Sequence, residues 1–439
     1  MKQCRFTLFV KELSIRIRRE VREGSFQITT TIVFCLSVAF FVVILGMFIN
    51  DHVRKFIVSE EFYLPQLTKF SQLSPWSPYS QFLCNTSLFS SPTLPPLNSS
   101  TSSRALRDLI APKELWHSMN DKELMWRASM VPHFVDYPYD RTPKVAFMFL
   151  SRGRLPLASL WEKFFKVHAG LYSIYLHTSP EFNTEMPESS VFYKRRIPSK
   201  VRIFSTAFQI VCLTRWISFL WMFLQPVDWG KATLVDAERR LIANALLDFS
   251  NERFVLLSET CIPLFNFTTI YKYLINSNHS FVSSFDDPRH IGRGRYNKRM
   301  FPTVTLPDWR KGSQWFEVHR KLAIEIVSDV TYYPIFQEHC RPPCYMDEHY
   351  LATLVNKLRP DLNSNRSITW VDWSRGGSHP TKFVRKDVSE AFLNQARHGF
   401  NCSYNSGLSS ICFLFARKFH PSTLEPLLRI APSLLGFDP

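Results

Sequence analysis

The chain has 439 residues, enough for one large domain or two ordinary ones, and its 45% hydrophobic content can fill a sizeable core. Its formal net charge of +16 and its pI near 9.5 predict an anionic partner, such as a phosphorylated ligand or a membrane surface. The sequence has no zinc-finger spacing of Cys and His, no RNA-recognition aromatic motif and no long Lys/Arg block, so we expect no nucleic-acid partner.

An uncharged apolar segment near the N-terminus predicts a membrane anchor. Residues 27–49 carry no charge and are long enough to cross a hydrocarbon core at about 1.5 Å per residue. Residues 1–26 contain more Lys and Arg than Asp and Glu, which predicts a cytoplasmic tail. A cleaved signal peptide would have a shorter apolar region and a small-residue cleavage site. We therefore expect a single-pass type II membrane protein whose C-terminal bulk lies in the lumen.

Two chemical signatures agree with a lumenal location. Sequons for N-glycosylation, of which chance alone would give a few, occur beyond the apolar segment at Asn85, Asn98, Asn266, Asn278, Asn365 and Asn401. In an oxidising compartment the candidates for disulfide pairing are Cys84, Cys261, Cys340, Cys344, Cys402 and Cys412.

Residues 50–142 form a predicted stem and leading helix, and residues 143–439 a predicted catalytic domain. The stem is rich in Pro, Ser and Thr, a composition typical of an extended spacer, whereas residues 111–130 have a helical pattern. The domain opens with a predicted strand over 144–150, a helix over 157–168 and a strand over 171–177. This strand–helix–strand unit indicates an α/β fold.

Further along, the pattern predicts a helix over 233–249 with Thr233 as its N-cap, a buried strand over 253–259 and a strand over 411–419. Ligands of open α/β sheets gather at the carboxyl ends of strands, so the polar tips of these strands are candidate site positions.

Several common catalytic motifs are missing from the sequence. It has no G-x-S-x-G elbow, no H-E-x-x-H, no Walker loop and no D-x-D pair, and "GRGRYN" at 292–297 lacks the third glycine of a dinucleotide loop. What remains is "HCRPPCYMDEHYLATLVNKL" at 339–358, where a helix is predicted to begin near Met346 or Asp347. Asp347 and Glu348 would then lie at the positive end of the helix dipole. The simplest interpretation is that they only stabilise the first turn of the helix. The C-x-x-x-C spacing is compatible with zinc, but a disulfide is the expectation in a secreted domain.

Basic and aromatic residues near the predicted loops have two interpretations each. The basic candidates could be solvated surface charges or could bind an anion: Arg293, Arg295, Lys298, Arg299, Arg375, Arg417 and Lys418. The tryptophans could pack in the core, which is the usual place for Trp, or stack on sugar rings: Trp309, Trp315, Trp370 and Trp373.

Several long blocks occur in one order after residue 143. They include "FMFLSRGRLPLASLWEKFFKVHAGLYSIYLHTSP", "VDWGKATLVDAERRLIANALLDF", "DWRKGSQWFEVHRKLA", "CYMDEHYLATL" and "CFLFARKF". Together they resemble the plant branch of the core-2/I-branching β-1,6-N-acetylglucosaminyltransferase-like family, and most of all its brittle-culm members. The resemblance implies a Golgi type II glycosyltransferase with a GT-A-like fold and inverting chemistry. It implies a nucleotide-sugar donor, taken to be a UDP-sugar, a glycan or glycoprotein acceptor, and no metal or other cofactor.

The resemblance also implies roles for individual residues. In the animal relatives the glutamate of a "D-E" pair before an apolar helix is the catalytic base, and Glu348 matches it. The lysine of the relatives' "LFANKF" segment matches Lys418, where basic residues replace the metal at the diphosphate. We therefore predict nucleotide-sugar binding by Lys418, Arg417 and Arg375, and acceptor binding by Trp370, Arg299 and Asp347. Two alternatives remain: transfer of a different sugar, or a catalytically silent Golgi glycan-binding or scaffolding protein that keeps the fold.

Residues 201–225, "VRIFSTAFQIVCLTRWISFLWMFLQ", interrupt the family-like pattern. As a membrane span the stretch is poor, because Arg215 near its middle costs about 2.5–3.5 kcal/mol on insertion scales. As a core helix it has no partner in the family pattern. A retained intron translated in frame is the third hypothesis, since a Val codon begins with GU and a Gln codon can be CAG. Sequencing the transcript across this junction tests it: absence of a shorter spliced form and of genomic splice signals would exclude it.

Overall fold

The computed structural model of this protein describes residues 114–132, 137, 139–199, 231–377 and 379–437. All of these belong to one of the two compact units of the chain, Leu94–Pro439. The predicted tail and anchor, most of the predicted stem and the stretch 201–225 lie outside the described residues. Among the described residues, no helix has both the length and the apolar character needed to span a bilayer.

The strands of the described part are β1 (Lys144–Leu150), β2 (Tyr172–His177), β3 (Asn251–Ser258), β4 (Ile262–Pro263), β5 (Glu317–His319), β6 (Thr369–Val371), β7 (Cys402–Tyr404), β8 (Gly407–Ser409) and β9 (Phe415–Arg417). The main sheet has the order β2-β1-β3-β5, in which the first three strands are parallel and β5 is antiparallel. A second sheet has the order β4-β9-β6, and β7 pairs with β8. The predicted α/β class with a mixed sheet is confirmed.

The α-helices of the described part are α1 (Asp121–Ser129), α2 (Ala158–Phe165), α3 (Ala232–Leu246), α4 (Phe267–Ile275), α5 (Arg320–Ser328), α6 (Tyr332–His339), α7 (Met346–Leu358), α8 (Glu390–His398) and α9 (Leu424–Ile430). Short 3₁₀ turns lie at Arg293–Arg295, Lys298–Met300, Pro360–Leu362, Arg385–Asp387 and Pro421–Thr423, and a π turn at Ala431–Leu435.

Both faces of the main sheet are covered, because alternate residues of each strand point to opposite sides. Ala146 and Met148 of β1 pack in one core with residues from α1, α3, α5 and α7. Val145, Phe147 and Phe149 pack in a second core with residues from α2, α4, α9 and the second sheet. The result is a layered α/β domain whose parallel strands are buried on both sides, which explains their continuous apolar sequence.

Several predicted elements are confirmed. The predicted strand 144–150 is β1, the predicted helix 157–168 is the shorter α2, and the strands expected at 171–177 and 253–259 are β2 and β3. Helix α7 begins at Met346, one of the two expected positions.

Three other expectations about local structure were wrong. Thr233 is not an N-cap, because α3 begins at Ala232 after Lys231 and places Thr233 inside its first turn. Within the predicted helical region 111–130, the helix covers only Asp121–Ser129, since the Asn120 side chain accepts hydrogen bonds from the Lys122 and Glu123 amides and fixes its start. The strand expected over 411–419 is reduced to β9, Phe415–Arg417.

A buried ion pair joins β3 to β5 across the main sheet. Arg253 Nε lies 2.9 Å from Glu317 Oε1, and both side chains are almost fully buried. Burial raises the pKa of Glu317 to about 7, although Arg253 acts in the opposite direction. The Arg253 guanidinium also donates to the carbonyl of His279 at 2.7 Å, so this cation is fixed in the core of the domain.

Replacing Glu317 by Gln should therefore lower the free energy of unfolding by roughly 3–5 kcal/mol, because it leaves the Arg253 charge buried without its anion. Urea unfolding of the variant and the wild type measures the difference. The matched control is Glu425→Gln, which removes a carboxylate from an exposed pair with Arg429 and should change little. Equal, small effects of the two replacements would contradict a structural role for the buried pair.

Candidate active site

A cleft of about 1960 Å³ opens at the carboxyl ends of the parallel strands. Ser151 follows β1, His177 ends β2 and Ser258 ends β3, and all three line this cleft. Arg417 at the end of β9 lines it too. The expected gathering of polar strand tips at one edge of the sheet is therefore present.

Glu348, the predicted base, lines the cleft from the first turn of α7 and is held by two cations. Its Oε2 accepts a hydrogen bond from Arg295 Nη1 at 2.7 Å and also pairs with Lys311 Nζ. Among the described residues, both of these contacts are made to Oε2 and none is made to Oε1. One oxygen of this carboxylate is thus anchored, and the other is left for a ligand.

The backbone around Glu348 is fixed from both sides. Tyr345, just before α7, has a left-handed conformation with φ of 55°, and the Arg295 guanidinium lies 4.5 Å from the centre of its ring. The Gly312 amide donates to the Glu348 carbonyl at 2.8 Å. A Cβ on residue 312 would lie 2.0 Å from the carbonyl oxygen of Ser283, so only glycine can pack this closely against the backbone of Ser283.

The segment before α7 carries a disulfide and no metal site. Cys340 and Cys344 are bonded, with 5.2 Å between their Cα atoms, which confirms the disulfide interpretation of the C-x-x-x-C spacing. His349 packs against the Trp309 ring at 4.5 Å and bonds the Arg310 carbonyl through Nδ1. Across the residues that the structure describes, no three His, Cys, Asp or Glu side chains cluster closely enough to hold a metal ion.

Asp347 also lines the cleft, but the residue is buried and only 6% exposed. Burial, followed by the charge of Glu348, raises the pKa of Asp347 to about 7, although Lys311 and Arg295 lower it. Its Oδ1 is buried and has no hydrogen-bond partner in the described structure. The Asp347 carboxyl group therefore binds a proton more readily near neutral pH than an ordinary aspartate does.

The pKa of Asp347 predicts a pH-dependent stability. Because its folded pKa lies above the usual value near 3.8, its stabilising contribution is complete below that value and is lost as the pH rises through 7. Asp347→Asn removes this dependence. From pH 5 to pH 8 the free energy of unfolding of wild type should therefore fall by about 2–3 kcal/mol more than that of the variant. Urea unfolding at several pH values measures this, and parallel stability profiles would contradict the buried, titrating carboxyl group.

Two cations define a second part of the cleft. The Arg417 guanidinium stacks 4.0 Å from the centre of the Trp315 ring, and burial lowers the pKa of Arg417. Burial, and then the positive charge of Arg417, lower the pKa of Lys418; Glu259 acts in the opposite direction, and Arg152 and Lys382 lower it further. Neighbouring cations that line one cleft repel one another, and an anionic ligand would relieve that repulsion.

Comparisons with known proteins identify the family of the chain. The family model described as Core-2/I-Branching enzyme matches residues 145–215 and 222–397, more than half of the chain. The chain belongs to the core-2/I-branching enzyme family. It is also 34% identical over 321 residues to "Glycosyltransferase BC10" of Oryza sativa subsp. japonica, a match that covers 63% of this chain and 73% of the rice protein. The expected kinship with plant, brittle-culm-type members is confirmed, and the protein is a glycosyltransferase by family.

Of the residues that the family resemblance suggested, the structure places five in one cleft: Glu348, Asp347, Lys418, Arg417 and Trp370. Trp370 is half-buried, and its ring stacks on Phe383 with 5.7 Å between centroids. That face of the indole is therefore used for packing. The neighbouring Trp373 is 51% exposed and also lines the cleft, so it offers this family member a freer aromatic surface.

The structure does not bring Arg375 or Arg299 into the cleft lining. Arg375 lies exposed on the turn after Trp373, and Arg299 lies exposed on the 3₁₀ turn Lys298–Met300. The basic residues that pair with Glu348 are Lys311 and Arg295, which lies four positions before Arg299. The sequence indicated this basic segment and the prediction took Arg299 from it, whereas the irregular turns of the segment place Arg295 in the cleft lining.

The sequons differ in their surroundings. Asn278, Asn365 and Asn401 are exposed, and the last two line the cleft. Asn266 is half-buried and caps α4 by accepting a hydrogen bond from the Thr269 amide at 2.9 Å. Asn85 and Asn98 lie outside the described residues.

The predicted disulfide candidates in the described part include both bonded cysteines and a free one. Cys402 and Cys412 are bonded to each other. Cys261 was expected to pair, and this was wrong: it is a free, buried thiol that accepts a hydrogen bond from the Ser258 amide in the turn after β3. The cysteines of the described part that do pair are separated by only 4 and 10 residues, whereas Cys261 has no other cysteine so near to it in the sequence. Cys84 lies outside the described residues.

Proposed function

We propose that the protein is a type II Golgi membrane glycosyltransferase with a GT-A-like domain. It transfers a GlcNAc-like sugar from a UDP-sugar to a glycan or glycoprotein acceptor, with inversion at the anomeric carbon and without a metal ion. The family membership supports the transferase class. The observation that carries the mechanism is the anchored carboxylate of Glu348, which shares one cleft with Arg417 and Lys418.

In this reaction Glu348 is the general base. Arg295 and Lys311 hold Oε2, so Oε1 can accept the proton of an acceptor hydroxyl while the acceptor oxygen bonds to the anomeric carbon. The bond between the anomeric carbon and the diphosphate oxygen breaks, and its electron pair leaves on the diphosphate. Attack from the face opposite to the leaving group inverts the anomeric configuration, which requires only one carboxylate.

The leaving diphosphate needs charge stabilisation more than it needs a proton. Lys418 and Arg417 are the cations of the described structure that we assign to it, with Arg152 and Lys382 close enough to affect the pKa of Lys418. Fixed cations in a partly buried site can stabilise developing negative charge by several kcal/mol because they need no reorganisation during the reaction.

The proposal is tested with the purified full-length protein and a panel of UDP-sugars. Release of UDP, with and without glycan acceptors, measures transfer and donor hydrolysis, and a thermal shift with UDP alone measures nucleotide binding. We expect UDP to raise the melting temperature and one donor of the panel to be cleaved. Binding of glycans without any nucleotide binding would instead support the catalytically silent scaffolding protein and overturn the proposal.

A further inference from the structure

One short segment, residues 311–315, contacts both functional parts of the cleft. At one end, Lys311 pairs with the base Glu348. At the other end, the Trp315 ring stacks on the Arg417 guanidinium at 4.0 Å. Four residue steps span at most about 14 Å in an extended chain, so this segment connects the two parts over a short distance.

Gln314 lies within this segment and lines the cleft. Its Nε2 donates a hydrogen bond to Glu238 Oε1 at 2.9 Å. Glu238 belongs to α3, is only 5% exposed and is not among the residues that line the cleft. A buried carboxyl group thus holds the carboxamide of Gln314 from behind.

The chemistry of this pair leaves Gln314 with free hydrogen-bonding capacity. A carboxamide has two N–H donors and a carbonyl acceptor, and the bond to Glu238 uses one donor. Burial, opposed by the bond from Gln314 and assisted by the charge of Asp347, raises the pKa of Glu238 well above its usual range. Glu238 therefore fixes the amide of Gln314 from behind the cleft lining, and its raised pKa favours the form without a charge.

We infer that Gln314 is a specificity-determining residue that recognises the transferred sugar of the donor, and that Glu238 is its positioning residue. The inference rests on the proposed function. During transfer the sugar lies between the base and the diphosphate, and Gln314 lies on the segment that joins the residues assigned to these two groups. Its remaining N–H and carbonyl match the donor and acceptor character of a sugar hydroxyl or acetamido group.

The test compares binding of UDP with binding of UDP-sugars by the purified full-length protein, using isothermal titration. The probes are UDP, UDP-GlcNAc, UDP-glucose, UDP-galactose and UDP-glucuronic acid. For the donor that binds wild type most tightly, Gln314→Ala should weaken binding about tenfold, the effect of losing one or two hydrogen bonds. Its affinity for UDP alone should stay within about twofold, because UDP lacks the sugar. Gln337→Ala, an exposed glutamine on α6, is the matched control and should change neither affinity.

Variants of Glu238 test its positioning role. Glu238→Gln keeps an oxygen acceptor for Gln314 and should preserve the preference for the UDP-sugar over UDP. Glu238→Leu removes the acceptor and should reproduce the loss seen in Gln314→Ala, with no further loss in the double variant. If the leucine variant does not fold, the comparison of Gln314→Ala with wild type still decides the main claim.

The failures of the two proposals are distinguishable. Wild type that binds neither UDP nor any UDP-sugar would overturn the proposed function and this inference with it. Wild type that binds both, together with a Gln314→Ala variant that weakens neither or weakens UDP and UDP-sugar equally, would overturn only the inference.

Discussion

Replacing Glu348 by Gln should lower the rate of sugar transfer by about 10²- to 10⁴-fold, the usual contribution of a general base. The amide keeps the size of the side chain and can still accept from Arg295, but it cannot take a proton from the acceptor hydroxyl. Glu348 is partly exposed, and so are Arg295 and Lys311, the two cations that pair with its carboxylate in the wild type. The fold should therefore persist, and steady-state transfer with a saturating donor measures the loss in kcat.

Two further variants make the Glu348 result specific. Glu338→Gln changes an exposed carboxylate on α6, outside the cleft lining, and should leave kcat unchanged. Glu348→Asp keeps the charge but withdraws it by one methylene, so part of the activity should return if position and basicity both matter. Near-normal turnover in a folded Glu348→Gln protein would show that another group takes the proton.

Lys418→Met should weaken binding of UDP and of the UDP-sugar alike, by roughly 10- to 100-fold. The variant keeps an unbranched side chain but removes a positive charge, and a hydrogen bond to a charged group contributes about 1.5–3 kcal/mol. Because the neighbouring cations Arg417, Arg152 and Lys382 remain, binding should be reduced without being abolished. Titration of the purified full-length variant with UDP measures the change.

Lys272→Met is the control for Lys418→Met, since Lys272 is exposed on α4 and is not part of the cleft lining. It should bind UDP as wild type does. The salt dependence gives a second check: Lys418→Met should show a weaker decrease of UDP affinity with rising ionic strength than wild type. Unchanged UDP affinity in Lys418→Met would remove this lysine from the diphosphate site.

The strands of the main sheet were predictable because their apolar runs are determined by burial on both faces. Residues 144–150 are the clearest example, since both cores use alternate side chains of the same strand. The beginning of α3 was not predictable from propensity. Thr233 has a capping side chain, but the chain enters the helix one residue before it, so the backbone path overrode the local preference.

The candidate site was predictable where it depends on one residue in a long block and unpredictable where it depends on turns. Glu348 and Lys418 lie in such blocks and both line the cleft. Arg295 and Arg299 carry the same side chain four positions apart, and only the path of two 3₁₀ turns decides which of them reaches Glu348. Gln314 has no charge and no motif, and its place beside Glu238 depends on the packing of α3 against the segment 311–315.

The most direct test of an inverting, single-base mechanism is the configuration of the sugar at the moment of release. Proton NMR can follow hydrolysis of an α-linked UDP-sugar by the purified full-length protein before the free sugar mutarotates. With Glu348 activating water as the acceptor, the β-anomer should appear first, and it should be lost in Glu348→Gln. First appearance of the α-anomer would contradict the single-base mechanism, and no cleavage of any UDP-sugar would contradict the assignment of this cleft to sugar transfer.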